Sequence, residues 1–362
     1  MRALVLNSAH GKYPRGSEAW VRTTVDAVND LAGRGYSFVC GTEPMPWSLT
    51  AFLAGESGAD ILLLVAGDET DDGIRHYETI MTDIGLDPAR TTPLFLGKGT
   101  GNRPKESWRR RDRIAIRCAD TICPVSIRPG GRLDTLLAGY SGGGRITDDF
   151  RIERFVSARE KRYDFSTREI NTPPSGEWLV HWTRTSAGPW PGERSCDFFR
   201  DMLERPNIYV RSAAETLIRI LKEGVIRGSS WRMPRNETAV SFSALQLEQA
   251  PCLMRWRKRY VRYSFEPYGI GIRRASLADA GAGQVDYAAN KRSPGKKNTL
   301  LSQSPGERGD WKREQEWRVP GDVVLDSFST DDIVAIAPDE SALIDIAGQT
   351  GGTRLFHPLF AR

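Results

Sequence analysis

The sequence predicts two domains of different class, an α/β domain on a parallel sheet followed by an α+β domain. Three observations carry this. The chain has 362 residues, and at roughly 150 residues per domain that length suggests two. The first half alternates short apolar runs with helical patterns, as a parallel sheet covered by helices requires. The second half is dominated by strand-like segments with one clear amphipathic helix. Between them, Asn171-Thr172-Pro173-Pro174-Ser175-Gly176 is turn-rich. The expected division is residues 1–140, a linker over 141–177, and residues 178–362.

Leu4-Val5-Leu6 reads as the first strand. Trp20, Val21, Val25, Val28 and Leu31 share one helical face within residues 17–32, and Gly33 and Gly35 end that helix. Residues 36–41 read as the second strand. Residues 61–65 are apolar throughout, as a strand buried on both faces must be. Residues 93–97 and 122–127 read as the fourth and fifth strands, with helices over 76–86 and 106–119.

In the second half, residues 178–184 read as a strand, followed by a loop rich in proline and glycine. Ala214, Leu217, Ile218 and Leu221 form the apolar side of a helix over 212–223, with Ser212 and Glu215 as a capping box and Gly224 as its stop. Val225-Ile226 is a short extended piece. Residues 239–243, 268–272 and 285–287 read as strands, and residues 311–319 contain a last strong element.

Composition narrows the function classes. Lysine and arginine total 51 and aspartate and glutamate 46, a net charge of +5. With 39% hydrophobic and 27% charged residues, the chain has enough apolar material for two cores. No apolar run approaches the ~20 residues needed to span a bilayer, and no signal-peptide pattern opens the chain. A cytoplasmic protein with no membrane partner is expected. Cys40, Cys118, Cys123, Cys196 and Cys252 form no CxxC pair, and four histidines form no HxxxH pattern, so no metal site is expected. Basic residues cluster at Arg109-Arg110-Arg111 with Arg113, at Arg255 to Arg262 among Trp256, Tyr260 and Tyr263, and at Lys291 to Lys297. Each such cluster reads first as a solvated surface and second as a phosphate contact.

Three loops follow strands in the first half: Ser8-Ala9-His10-Gly11, Gly97-Lys98-Gly99-Thr100-Gly101 and Arg128-Pro129-Gly130-Gly131. Ligands of such sheets bind at the C-terminal strand ends, where glycines let backbone amides approach a phosphate. Ser8, Gly11, Gly99, Arg128, Gly130 and Gly131 are the candidate nucleotide contacts. Strand order and Pro129-Gly130-Gly131 before a helix resemble the LOG-like Rossmann-like nucleotide-binding domains and their sensor versions, the SLOG domains. Arg132-Leu133-Asp134-Thr135 departs from that family's PGG-x-GT loop. The resemblance therefore implies a nucleotide-binding or sensing domain rather than a phosphoribohydrolase.

In the second half, His181-x-Thr183-Arg184, Ser241-Phe242-Ser243 and Glu314-Gln315-Glu316 occur in that order. With Leu217-x-x-Ile220-Leu221-x-x-Gly224 and Tyr268-Gly269-Ile270-Gly271-Ile272, they resemble the AbiGi-type abortive-infection proteins within the ADP-ribosyltransferase superfamily, over about residues 178–345. The resemblance implies an ADP-ribosyltransferase-like fold using NAD as substrate. Glu316 would face the ribose, Glu314 would orient or deprotonate the acceptor, and Ser241 would support Glu316. His181, Thr183, Arg184, Ser243 and Tyr268 would hold the dinucleotide, with His181 and Arg184 alternatives for the first-strand role. A regular strand sets Glu314 and Glu316 on one face. The expected function is ADP-ribosyl transfer or NAD hydrolysis in an antiphage effector. Nucleotide or sugar-phosphate N-glycoside hydrolysis in the first domain and a catalytically silent nucleic-acid-binding regulator are the alternatives. A nucleic-acid acceptor and a homo-oligomer stay open.

Overall fold

A computed structural model describes residues 1–10, 14–97, 104–154, 165, 168–186, 188–230, 233, 237–257, 262–287, 299–302, 314–351 and 355–361. The chain divides into two compact units: Met1–Arg159 with Gly192–Val210, and Glu160–Pro191 with Arg211–Arg362.

In the first unit, β1 (Arg2–Asn7), β2 (Ser37–Gly41), β3 (Ile61–Val65), β4 (Thr91–Phe95), β5 (Thr121–Ser126) and β6 (Arg145–Ile146) form one sheet. Its order is β4-β3-β2-β1-β5-β6, and every pairing is parallel. The Rossmann-like sheet expected from the alternation is present. Successive side chains of a strand serve opposite faces. Ala3 and Val5 join α1 (Ala19–Gly33), α2 (Met45–Glu56) and α3 (Asp71–Ile84) in one core. Leu4 and Leu6 join α4 (Pro104–Cys118) and α5 (Arg132–Ala138) in the other. Winding therefore reverses between β1 and β5.

Two helices of this unit escaped the sequence reading. In α2, Pro46, Trp47, Leu49, Thr50, Ala51, Phe52, Leu53 and Ala54 are all buried, so no polar face marks a helical period. The loop expected after residue 184 contains α6 (Ser195–Glu204), whose Cys196, Phe198, Phe199 and Met202 enter the first core. Asp83 anchors its start, accepting from Ser195 N at 2.9 Å and Ser195 Oγ at 2.7 Å. The first basic cluster is not a uniformly solvated face. Arg111 is buried at 3% exposure, paired with Asp112 at 2.8 Å and stacked over Trp47 at 4.0 Å. Arg132 closes on the other oxygen of Asp112.

The second unit contains β7 (Trp178–Trp182), α7 (Ala213–Glu223), β8 (Val225–Ile226), β9 (Ala239–Ser243), β10 (Trp256–Arg257), β11 (Arg262–Tyr263), β12 (Gly269–Arg273), α8 (Arg274–Asp279), β13 (Gly283–Gln284), β14 (Glu316–Pro320), β15 (Val323–Val324), β16 (Ile333–Ala337), α9 (Glu340–Thr350) and β17 (Leu355–Pro358). Seven of these strands form a sheet in the order β13-β14-β9-β7-β12-β16-β17. Its pairings are antiparallel except β16 with β17. The capping box on α7 is made, with Ser212 Oγ accepting from Glu215 N at 3.2 Å. Gly271 has a packing reason: a Cβ there would lie 2.8 Å from Val334 Cγ1. The strand expected at 285–287 instead falls on Gly283–Gln284, and β16, α9 and β17 lie beyond the last segment read from sequence.

Removing one partner of a buried ion pair leaves an uncompensated charge. Asp112→Ala is expected to destabilise the protein by about 3–5 kcal/mol, seen as a lower urea midpoint. Arg132→Gln, at a side chain 38% exposed, is expected to lose far less.

Candidate active site

β14 pairs with β9 so that Glu316 opposes Ser243 and Arg318 opposes Ser241. Opposed residues of an antiparallel pair share a face, so these four side chains lie together. The Glu316 carboxylate accepts from four donors. Ser241 Oγ and Arg318 Nε reach Oε1, both at 2.8 Å. Tyr287 OH and Arg318 Nη2 reach Oε2 at 2.5 and 3.1 Å. Arg318 is itself buried and donates from Nη1 to Leu300 O at 2.8 Å. A carboxylate has about four acceptor positions, and here each is used. Burial, then the neighbouring Glu316, pushes the Tyr287 hydroxyl pKa up, so Tyr287 serves as a donor.

Glu314 does not share a strand with Glu316, contrary to the alternation argument. Gln315 has φ of +47°, and the strand begins only at Glu316. A non-glycine residue in this region is strained and persists where its surroundings impose it. Here Ser243 Oγ donates to Glu314 O at 2.7 Å and Ala244 N to Gln315 O at 3.1 Å. The turn keeps Glu314 close to Glu316 nonetheless. Burial first, then the charge of Glu316, raises the Glu314 carboxyl to about 7, against the opposing pull of Arg257, Arg184 and Arg255. Gln315 also lines a cavity of about 470 Å³ with Arg168, Leu245, Glu248, Gln249 and Cys252, within the size range of small-molecule sites.

The other expected residues divide. Val180 opposes Ser243 across β7 and β9, which puts His181 on the opposite face, with Phe242. The two rings meet edge-on at 5.8 Å. His181 Nδ1 lies 2.9 Å from Ser241 O and donates to it, since a carbonyl only accepts. Burial lowers the His181 pKa, against the opposing effect of the hydrogen bond to Ser241 O, and Arg184 adds to the lowering. His181 therefore braces the strand carrying Ser241 without joining the Glu316 face. Arg184 lies near enough to act on both His181 and Glu314, so the two residues treated as alternatives occupy one neighbourhood. Thr183 Oγ1 is engaged with Ala213 O at 2.8 Å and Tyr268 O at 3.1 Å, a structural tie. Ser243 Oγ holds the turn, also accepting from Leu245 N at 3.2 Å. Tyr268 packs against the core on the His181 face. Sequence reasoning missed Arg318 and Tyr287. Arg318 follows Glu316 by two, a same-face spacing that could have flagged it, whereas Tyr287 comes from a distant segment.

In the first unit, Ser8 Oγ accepts from Arg128 N at 2.9 Å, which ties two of the expected loops. Gly130 takes φ of +64°, and its amide donates to Asp134 Oδ2 at 2.9 Å. Gly131 N donates to Arg128 O at 2.9 Å. Both glycine amides are thus engaged internally. Gly11 and Gly99 lie outside the described residues. Among the described residues, no cluster of histidine, cysteine and carboxylate side chains suited to a metal is found, and no helix is long and apolar enough to cross a membrane.

No protein-family model matches the chain, and no curated protein matches it. Among solved structures, DNA processing protein A from Helicobacter pylori, described for its single-stranded DNA binding mode, is 15% identical with a TM-score of 0.25. The similarity covers 35% of this chain and 54% of that one, so the match spans about half of that protein's length. The molybdenum cofactor carrier protein from Chlamydomonas reinhardtii is also 15% identical with a TM-score of 0.25, over 38% of this chain and 69% of that one.

The raised Glu314 pKa has a stability consequence. Between its ordinary value of 4.5 and about 7, the folded chain holds a proton that the unfolded chain releases. Stability therefore falls as pH rises through that window. Glu314→Gln is expected to match wild type in thermal unfolding at pH 5 and to exceed it at pH 8, by about 1–3 kcal/mol.

Proposed function

We propose that the second unit breaks the nicotinamide–ribose bond of NAD and passes ADP-ribose to an acceptor hydroxyl or to water. The observation that carries this reading is the divergence of two neighbouring carboxylates. Glu316 is held by Arg318, Ser241 and Tyr287, while Glu314 titrates near neutral pH. Pairs of titratable groups in contrasting environments mark acid–base assignments.

In this reading the C1′–N bond breaks and its electron pair stays on the pyridine nitrogen, so nicotinamide leaves neutral. The positive charge developing at C1′ faces the Glu316 carboxylate. A substrate 2′-hydroxyl takes the place of Tyr287 as donor to Glu316. The acceptor oxygen bonds to C1′ and its proton passes to ionised Glu314. The guanidinium groups of Arg184, Arg255 and Arg257, which already act on Glu314, suit the diphosphate. Arg255 and Arg257 flank Trp256 in the hairpin of β10 and β11, a composition compatible with a nucleic-acid acceptor. The role of the first unit in this reading is to bind a nucleotide-derived ligand, as a sensor in an antiphage protein would.

The test is nicotinamide release by the full chain, with and without RNA, DNA and lysate protein. Glu316→Gln is expected to lose about 10²–10³-fold in turnover. Glu314→Gln is expected to remove the ascending limb of the pH profile near 7, because the base must be ionised. Absence of release under every condition, or release indifferent to Glu316→Gln, would overturn the reading.

A further inference from the structure

The winding of the first unit reverses between β1 and β5, and the C-terminal ends of the strands at such a switch point are where sheets of this kind receive ligands. The segments after these strands are tied by Ser8 N donating to Ser126 O at 3.0 Å and Arg128 N donating to Ser8 Oγ at 2.9 Å. Arg154 joins them, with Nη2 donating to Ala9 O at 2.7 Å. His10 lies flat on Trp20, ring centroids 4.4 Å apart and 7° from parallel.

Cationic groups converge here. Arg128 is close enough to lower the pKa of Arg154 beyond the effect of burial. Burial and Arg154 together hold His10 down at about 4. Among the described residues, neither arginine has a carboxylate partner. The nearby Glu18 accepts from Trp20 Nε1 at 2.6 Å and Arg15 N at 3.4 Å. Among the described residues, three buried polar atoms of these strand ends and the segments tied to them also have no hydrogen-bond partner: His10 Nε2, Arg154 Nη1 and Ser126 Oγ. Ser126 is only 1% exposed. Burying a polar atom unpaired is unfavourable, and native proteins rarely do so without a reason. Several such atoms beside two guanidinium groups that have no carboxylate partner among the described residues form a pattern that a ligand rich in acceptor oxygens resolves.

We propose that Arg128, Arg154, His10 and Ser126 form a binding site for a phosphate group, the dianion of inorganic phosphate or of a phosphate monoester. The guanidinium groups supply charge and forked donors, Ser126 Oγ and His10 Nε2 supply the remaining contacts, and Trp20 fixes the imidazole plane. The site lies beside the Pro129-Gly130-Gly131 loop and does not use it, because Asp134 already occupies the Gly130 amide. It is independent of the Glu314–Glu316 chemistry.

Isothermal titration of the full chain with inorganic phosphate, and in parallel with adenosine 5′-monophosphate, tests this. Saturable binding is expected, weakened about tenfold or more by Arg154→Gln and by Arg128→Gln and unchanged by Glu316→Gln. Tighter binding of the nucleotide than of phosphate identifies a monoester ligand; equal binding identifies the free ion. Ser126→Ala, a small change on a buried strand end, gives a second reading if an arginine variant unfolds. Phosphate binding should also raise the His10 pKa, followed by the imidazole proton resonance. No binding of either probe, or binding insensitive to Arg128, Arg154 and Ser126 changes, overturns the proposal.

Discussion

The pairing of β14 with β9 in one register is the constraint on which the second unit's site rests. A shift by a single residue would turn every side chain to the opposite face. With Ser241 opposite Arg318 and Ser243 opposite Glu316, the polar side chains of both strands meet on one surface, while Phe242 and Val319 enter the core behind it. Arg318 then serves two ends at once. It grips both oxygens of Glu316 and, from Nη1, the carbonyl of Leu300. This geometry makes Glu316 rigid, and it is the proximity of that rigid charge, added to burial, that lifts Glu314.

Gln315 lets the two glutamates differ. Its positive φ ends the strand alternation, so Glu314 occupies a different environment from Glu316 instead of repeating it two residues away. The Ser243 hydroxyl holds this turn by its hydrogen bond to Glu314 O. A serine that reads as a ligand contact in a motif is, in the fold, a support for the backbone that presents the acid.

In the first unit the corresponding constraint is topological. α1, α2 and α3 cover one face and α4 and α5 the other, so β1 and β5 are the neighbouring strands at which the winding reverses. Between them the chain gathers Arg128, Arg154 and His10, residues separated by up to 144 positions. The internal capping of Gly130 by Asp134 turns the departure from the PGG-x-GT pattern into a physical difference, since a side-chain carboxylate fills the amide that such loops leave open to an anion.

The periodicity of apolar residues was sufficient for the parallel sheet, for the helix Ala213–Glu223 and its cap, and for the strands carrying Ser241 and His181. These depend on local spacing and on neighbours three or four residues away. Sequence also picked out Glu316 and Ser241, which do bond to each other. It failed where periodicity carries no signal, as in the uniformly buried α2, and where contacts are non-local, as with α6 in the first core and Tyr287 on Glu316. Strand pairing alone decided that His181 faces Phe242 and not Glu316, because residue spacing within a strand says which side chains share a face but not which face the neighbouring strand presents. The charge states that give Glu314 and His10 their character likewise arise from burial and from partners distant in the chain, quantities that exist only once the backbone has closed around them.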